Sequence, residues 1–424
     1  MARTSPARPA LLRTLNDRTV LELLLTSGPS SRADLAELSG LSKPTIAEVL
    51  TRLERGGLIV DAGETVGRRG PNGRMHDVAV DLARGAALSV EPGRVTCEIV
   101  DARGAVLGSA ARSRSGLPRG AGAVTRELVA EAAGIAEVRL ATVSEIVVGL
   151  PGSYDPVLDR VRYADRIPDW TARGIAASLR SEFAEGTAVT IDNDVNLALV
   201  AERSTGAAGA SAVTSLLWLS TGIGLATDLG GTLYRGVSGG AGEIGYIPVP
   251  AATSGPGSAA HPDYQDVVGG AAVLRLARDH GIAGRTPAAV VERAALGHRE
   301  DPASRAFLDD LAGRIALGLA VIVAVLDPGL VVLGGAVGRA GGQPLAQRTA
   351  KAFRAVSPLS VQIAASTVVG DPSLAGARTV ATGRVRDRLL DEANRPVTGP
   401  HDDRAPARRT DIALPTARTA EEVH

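Results

Sequence analysis

The hydrophobic pattern of this chain changes period near Gly85, and that change divides it into two kinds of structure. Ahead of Gly85, three helical patterns follow one another and close on a polar hairpin; behind it, short β runs alternate with Ala- and Leu-rich helices. From Thr14 to Ser27 the leucines and Val20 keep helical spacing until Gly28-Pro29. Ser31-Arg32-Ala33-Asp34 has the form of a capping box, with Asp in place of Glu, and predicts a second helix ending at Gly40. Ser42 is placed to cap a third, running to about Arg55, whose Ile46, Val49, Leu50 and Leu53 fall at i, i+3, i+4 and i+7 and define its buried stripe. Leu58-Ile59-Val60 and the stretch around Val78-Ala79-Val80 read as paired strands, with the loop 67–74 between them. Three helices, a strand, an Arg-rich loop and a strand predict a winged helix-turn-helix over 13–82, preceded by a disordered stretch at 1–12.

In such a module the N-terminal end of the third helix meets base edges and phosphates in the major groove, which makes Ser42, Lys43 and Thr45 candidate DNA contacts. Arg52, off the buried stripe, is a fourth. In the loop, Arg68, Arg69 and Arg74 stand among glycines and a proline, a slim segment able to follow a minor groove. Residues 1–85 hold 12 Arg and Lys against 10 Asp and Glu, a net charge of +2, so strong nonspecific binding by a single copy is not expected. Operator DNA is the expected partner, and a symmetric operator favours a homodimer.

Behind Gly85 the predicted strands are 86–91, 95–100, 145–149, 187–191, 214–219, 223–228 and 330–333, an alternation that marks α/β architecture. Only 2% of residues are aromatic, so the cores must be built from Ala, Val, Leu and Ile. Cys97 is the sole cysteine, which excludes an internal disulfide and any zinc site made from several thiolates. Arg3, Arg8 and Arg13 are followed by no long apolar stretch, unlike a signal peptide, and the longest apolar run, Ile315 to Leu326, is too short for a bilayer. A cytoplasmic protein without membrane contact is expected. From about Asn394 the chain is rich in Pro, Arg, Asp and Thr without periodicity, and a disordered tail over 395–424 is expected.

Chemistry concentrates between 192 and 246. Asp192-Asn193-Asp194-Val195-Asn196 sets a carboxylate beside an amide, the pair a kinase would use on a sugar hydroxyl. Ser220-Thr221-Gly222-Ile223-Gly224 is a hydroxyl-and-glycine turn suited to phosphate, and Glu243-Ile244-Gly245-Tyr246 adds a second carboxylate. With Gly239-Gly240-Ala241-Gly242 leading into Glu243, Val148-Gly149-Leu150-Pro151-Gly152, and Val331-Val332-Leu333-Gly334-Gly335, these runs resemble the ROK family (repressors, open reading frames, kinases), and the front module is similar to its repressor branch. The resemblance covers about 12–390. It implies a two-lobed actin-like (RNase H-like) ATPase fold over 85–390, with a smaller lobe at about 85–190, a larger one at about 191–390 and the ligand cleft between them.

The resemblance also implies a homodimer or homotetramer, and it implies roles. Asp194 falls at the general-base position of the kinases; Gly152, Asn193, Glu243, Tyr246 and Asp266 fall at effector or sugar positions; Thr221, Gly222 and Gly224 are the phosphate-loop remnant. Three departures count against catalysis. The family's Asp-x-Gly-x-Thr turn is replaced by Glu91-Pro92-Gly93-Arg94-Val95; the His that contacts sugar and zinc is Tyr246; and the zinc loop is replaced over 251–264 by a segment holding His261 alone. No zinc or other metal and no working ATP–Mg site are therefore expected. The expected function is a transcriptional regulator, a repressor, whose degenerate kinase domain senses a sugar or sugar derivative; the alternative is an active ATP-dependent sugar kinase with an accessory DNA-binding domain.

Overall fold

A computed structural model of the chain describes residues 9–64, 73–116, 120–209, 211–249 and 262–393. The front module comprises α1 (Pro9–Ser27), β1 (Ser30–Ser31), α2 (Arg32–Ser39), α3 (Lys43–Arg55), β2 (Ile59–Glu64) and β3 (Arg74–Val78). Helix α1 begins at Pro9, inside the stretch expected to be disordered, because proline suits the first turn, where its missing N–H has no partner to lose. The Ser31/Asp34 capping box forms as predicted, and Gly40 closes α2 in the left-handed region. Strand β1 adds to the two wing strands in the order β1-β3-β2. Val20, Leu24, Leu35 and the α3 stripe of Ile46, Val49, Leu50 and Leu53 form this module's core.

The first lobe contains β4 (Arg84–Val90), β5 (Arg94–Val100), β6 (Val106–Ser113), α4 (Ala121–Ile135), β7 (Val143–Leu150), the short pair β8 (Ser153–Asp155) and β9 (Arg160–Arg162), α5 (Ile175–Ser181) and β10 (Ala188–Asn193). Next come α6 (Asp194–Thr205), β11 (Val213–Leu219), β12 (Ile223–Leu229), β13 (Thr232–Leu233), α7 (Tyr264–Val268), α8 (Gly270–Asp279), α9 (Pro287–Gly297), α10 (Pro302–Leu326), β14 (Leu330–Gly334), α11 (Gly335–Val356), β15 (Gln362–Ala365) and α12 (Pro372–Ala393). Two five-stranded sheets have matching topology: β10-β7-β4-β5-β6 in the first lobe and β13-β12-β11-β14-β15 in the second. In each, three antiparallel strands are extended by two parallel ones. This duplicated arrangement is the actin-like fold.

The boundary expected at residue 191 needs correction in two respects. Strand β10 runs to Asn193 within the first sheet. Helix α12, expected in the larger lobe, returns to the first, where Leu374, Ala377 and Ala381 pack with Ala87, Val147 and Leu197. Its far end carries Val385, Leu389 and Leu390 into the core of the winged helix beside Val20, Leu21 and Leu24. The apolar run Ile315–Leu326 lies in α10, whose Ile315, Leu319 and Ile322 fill the second lobe's core. Among the described residues no helix is long and apolar enough to cross a membrane. The tail expected over 395–424 lies outside the described residues.

Candidate functional site

Parallel strands β7 and β10 end side by side, with Leu150 opposite Asn193 in the register. Their following segments project into the cleft, as loops at the carboxyl ends of parallel strands do. There they bound a cavity of about 610 Å³ between the lobes, lined by Gly152, Asn193, Asp194, Thr221, Gly222, Gly224 and Glu243 among others. The site residues legible in the sequence therefore converge, apart from Tyr246 and Asp266.

Asn193 caps α6. Its Oδ1 accepts from the amides of Val195 (2.8 Å) and Asn196 (3.2 Å), and its Nδ2 donates to the Gly152 carbonyl (3.0 Å). One amide hydrogen remains for a ligand. Gly152 must be glycine: its φ is +103°, and a Cβ there would meet the Arg162 carbonyl oxygen at 2.5 Å. Asp194, the first residue of α6, accepts from the Val195 amide at 2.9 Å. Burial, together with the charges of Asp371 and Glu243, pushes its carboxyl up to about 6, against the pull of that amide. Glu243 reaches across the cleft and accepts from the Ser153 hydroxyl at 2.5 Å.

Several participants lie outside the site residues expected from the sequence. Asp192, almost fully buried, accepts from the Asn196 amide (2.9 Å) and from Arg235 (2.5 and 3.1 Å), so the strand end on one lobe is tied to the hairpin side of the other. Asp371, at the start of α12, accepts from the amides of Ser373 and Leu374 and raises both Asp194 and Glu91 by its charge. Gln265 accepts from the Ile223 amide (3.0 Å) and donates to the Thr221 carbonyl (2.9 Å), bracing the turn that presents Thr221 and Gly222 to the cavity. These links join residues tens of positions apart, which local spacing does not reveal.

The turn at Glu91–Arg94 closes on itself. The Glu91 amide donates to the Arg94 carbonyl (2.8 Å) and the Arg94 amide to the Glu91 carbonyl (3.4 Å). Pro92 has no N–H, so Gly93 is the one amide of this turn left for a phosphate. Two residues expected at the ligand stand outside the cavity lining. Tyr246 does not line the cavity; its side chain is 62% exposed and tilts against Tyr163 at 5.6 Å. Asp266 completes the capping box of α7 with the cap residue Asp263: its amide donates to the Asp263 carboxylate (3.0 Å) and its own carboxylate accepts from the Asp263 amide (3.3 Å). Cys97 is buried in β5, its thiol pushed up by burial, and His261 lies outside the described residues. The donor set of a thiolate zinc site is thus missing from the sequence itself.

On the winged helix, Ser42 caps α3 by accepting from the Thr45 amide, and the two hydroxyls bond at 2.8 Å. Lys43 lines a recess of about 400 Å³ with Arg32 and Arg74, between the N-termini of α2 and α3 and the wing. Arg32 was not expected there. Arg74 also pairs with Asp61 (2.7 Å) and Glu54 (3.2 Å). Arg52, expected at the DNA, has a structural partner: its guanidinium grips Asp17 of α1 through two nitrogens, at 2.5 and 3.0 Å. Arg68 and Arg69 lie outside the described residues.

Fold and cleft together define a protein of the sugar-kinase-like actin fold that carries a winged helix in front. Residues 93–383 match the ROK family, and the chain belongs to it; residues 13–60 match a winged helix-turn-helix DNA-binding domain. The chain is similar to the xylose repressor of Bacillus subtilis, with 24% identity over 250 residues, 57% of this chain and 62% of that one. It thus spans about 62% of the length of the first curated relatives it matches. A crystal structure of a ROK family transcriptional regulator, described as a homolog of E. coli MLC protein, shares the fold with a TM-score of 0.67 at 18% identity, over 90% of this chain and 99% of that one. The ROK hexokinase from Thermus thermophilus superposes with a TM-score of 0.58 at 25% identity, over 72% and 99%.

Proposed function

We propose that the protein is a DNA-binding transcriptional repressor whose ROK domain binds a sugar or sugar derivative without phosphorylating it. The observation that carries this reading is the division within the cleft. Asn193, Asp194 and Glu243, the candidate hydroxyl-binding set, converge on one cavity, whereas the Glu91–Arg94 turn directs two of its amides to itself and leaves only that of Gly93. Phosphoryl transfer rests on positioning and charge neutralisation of the phosphates, and that half of the machinery is reduced. The reading assigns no zinc and no ATP–Mg requirement. Sequence relatives that include xylose repressors support the regulatory part.

Operator DNA docks on the face formed by Lys43, Arg32 and the wing, with two copies reading a symmetric site. Thermal-shift measurements across pentoses, hexoses and their derivatives test the sensing part: stabilisation by a sugar, abolished by Asn193→Ala, is expected. Failure of every sugar to stabilise a folded sample counts against it.

The rival reading, an ATP-dependent sugar kinase with an accessory DNA-binding domain, is favoured by one observation. Asp194 is held at about 6, where a carboxylate serves as a general base near neutral pH. Sugar-dependent ADP release that disappears in Asp194→Asn would establish it; absence of release is expected.

A further inference from the structure

The chain has ten aromatic residues in 424, and four of them, Trp170, Tyr264, Phe307 and Phe353, are essentially inaccessible. Three tyrosines are exposed, Tyr163, Tyr234 and Tyr246; of these Tyr163 and Tyr246 meet beside the cleft, 52% and 62% exposed, with ring centroids 5.6 Å apart and planes inclined by 51°. They come from different lobes, Tyr163 following β9 and Tyr246 lying three residues beyond the hydroxyl-binding Glu243.

The backbone of Tyr163 adds a second, independent observation. Its φ is +59°, in the left-handed region, whereas two of the other three non-glycine residues there are aspartates, which tolerate it. A bulky ring in that conformation costs roughly 1–2 kcal/mol, and such strain persists chiefly where it serves a site. Tyr163 lines the cavity. Asp165, two residues on, lines it too, and Asp165, Asp263 and Glu243 all act on the Tyr246 hydroxyl by charge.

We propose that Tyr163 and Tyr246 form a stacking subsite for a second sugar ring, so that the ligand of this cleft is a disaccharide or longer glycoside. The proposal rests on the sugar-sensing reading above and deepens it. A pyranose ring presents a face of C–H groups that packs on the electron-rich face of an aromatic ring, while its hydroxyls point outward to acceptors. Tyr163 lines the cavity and Tyr246 packs against it just outside, so the inclined pair extends the lining outward, and the carboxylate of Asp165 supplies a hydroxyl acceptor. The polar set of Asn193, Asp194 and Glu243 holds the first ring deeper in the cavity. A free monosaccharide seated there leaves the tyrosines unused.

The test is calorimetric titration of the full chain with glucose, xylose, maltose, cellobiose, xylobiose and sucrose. Wild type, Tyr163→Gly, Tyr246→Ala, Tyr246→Phe and Asn193→Ala are compared. At least one disaccharide should bind about tenfold more tightly than its monosaccharide, the scale of one or two ring contacts. Tyr246→Ala and Tyr163→Gly should remove most of that advantage and leave monosaccharide affinity unchanged; Tyr246→Phe should keep it. Tyr163→Gly should also melt higher without ligand, because glycine relieves the strained φ. Equal affinity for mono- and disaccharides, or an advantage that survives both truncations, overturns the subsite. So does equal loss of both affinities, which marks the pair as a latch between lobes, or saturable binding of tetramethylammonium lost in Tyr246→Ala, which marks a cation site. Absence of binding by any sugar refutes the sensing reading itself, whereas binding lost in Asn193→Ala with no disaccharide preference refutes the subsite alone.

Discussion

Burial and the charges of Asp371 and Glu243 hold the Asp194 carboxyl at about 6 in a cleft where a hydroxyl ligand needs it ionised. Its ordinary value is 3.8, so the folded protein binds this proton more tightly than the unfolded chain does. The group therefore lowers stability progressively as pH rises from near 4 to near 6, and its full cost is present above 6. Asp194→Asn should raise the melting temperature at pH 7.5 and leave it unchanged at pH 3.5, as read by thermal denaturation; a stabilisation equal at both pH values would show that charge is not the cause. Two basic residues of α3 separate in the same way, structure from contact. Arg52 neutralises the nearly buried Asp17, so Arg52→Ala should cost about 1–3 kcal/mol in urea unfolding. Lys43 has no side-chain partner among the hydrogen bonds and ion pairs of the described residues, so Lys43→Ala should leave stability unchanged. It should also weaken DNA binding and lower the salt slope by about 1, as expected for one phosphate contact. If Arg52→Ala weakens DNA binding at unchanged stability, the assignment of its role reverses. The sequence placed Arg52 off the buried stripe, which is correct, but a residue off the stripe still has several neighbours, and its actual partner lies 35 positions away.

At the scale of elements, most strands were legible because period-two runs are local: the expected runs at 86–91, 95–100, 214–219 and 223–228 match β4, β5, β11 and β12 within a few residues. The three-residue strands β8 and β9 were not, since a run that short has no measurable period. The motif residues Asn193 and Asp194 converge with Thr221 because the β10–α6 junction and the β11–β12 turn fix them, and Glu243, in the segment after β13, is held there by the Ser153 hydroxyl. Tyr246 and Asp266 did not follow, because matching a family position fixes where a residue sits in the chain and leaves the direction of its side chain open. The return of α12 was invisible for a different reason: its partners are α6 and the first sheet, far back in the chain. That packing depends on Gly376, where a Cβ would lie 1.8 Å from the Leu197 carbonyl oxygen of α6. Neither backbone can retreat without parting the helices, so Gly376→Ala should destabilise by ~3 kcal/mol or more. Urea unfolding followed by circular dichroism reads this directly, and an unchanged midpoint would mean that the two helices are not in such close contact.

For the whole molecule, the same helix joins the cleft to the winged helix. Its 22 residues span about 33 Å. At one end Asp371 acts on Asp194 and Glu91 in the cleft; at the other Val385, Leu389 and Leu390 are buried in the core of the winged helix. A second link runs beside it: Arg103, on the β5–β6 turn, pairs with Asp77 of the wing and donates to the Leu24 carbonyl of α1 at 3.2 Å. A ligand that draws the lobes together shifts the first sheet and α12 as a unit, and the winged helix must follow or lose its shared core. Coupling of this kind amounts to a factor of roughly 5–150 between the two affinities and is reciprocal. With the tightest-binding sugar of the titration panel, operator affinity measured by fluorescence anisotropy should change by a factor in that range. Operator should change sugar affinity by the same factor. Leu389→Ala, which empties part of the shared core at a cost of about 2–5 kcal/mol, should bring that factor toward one. The milder Arg103→Ala, which removes only the polar link, should reduce it partially while each separate affinity stays within about threefold of wild type. Undiminished coupling in both variants, in samples whose circular dichroism shows both domains folded, would leave α12 a structural tether and require that the signal pass between copies of the chain.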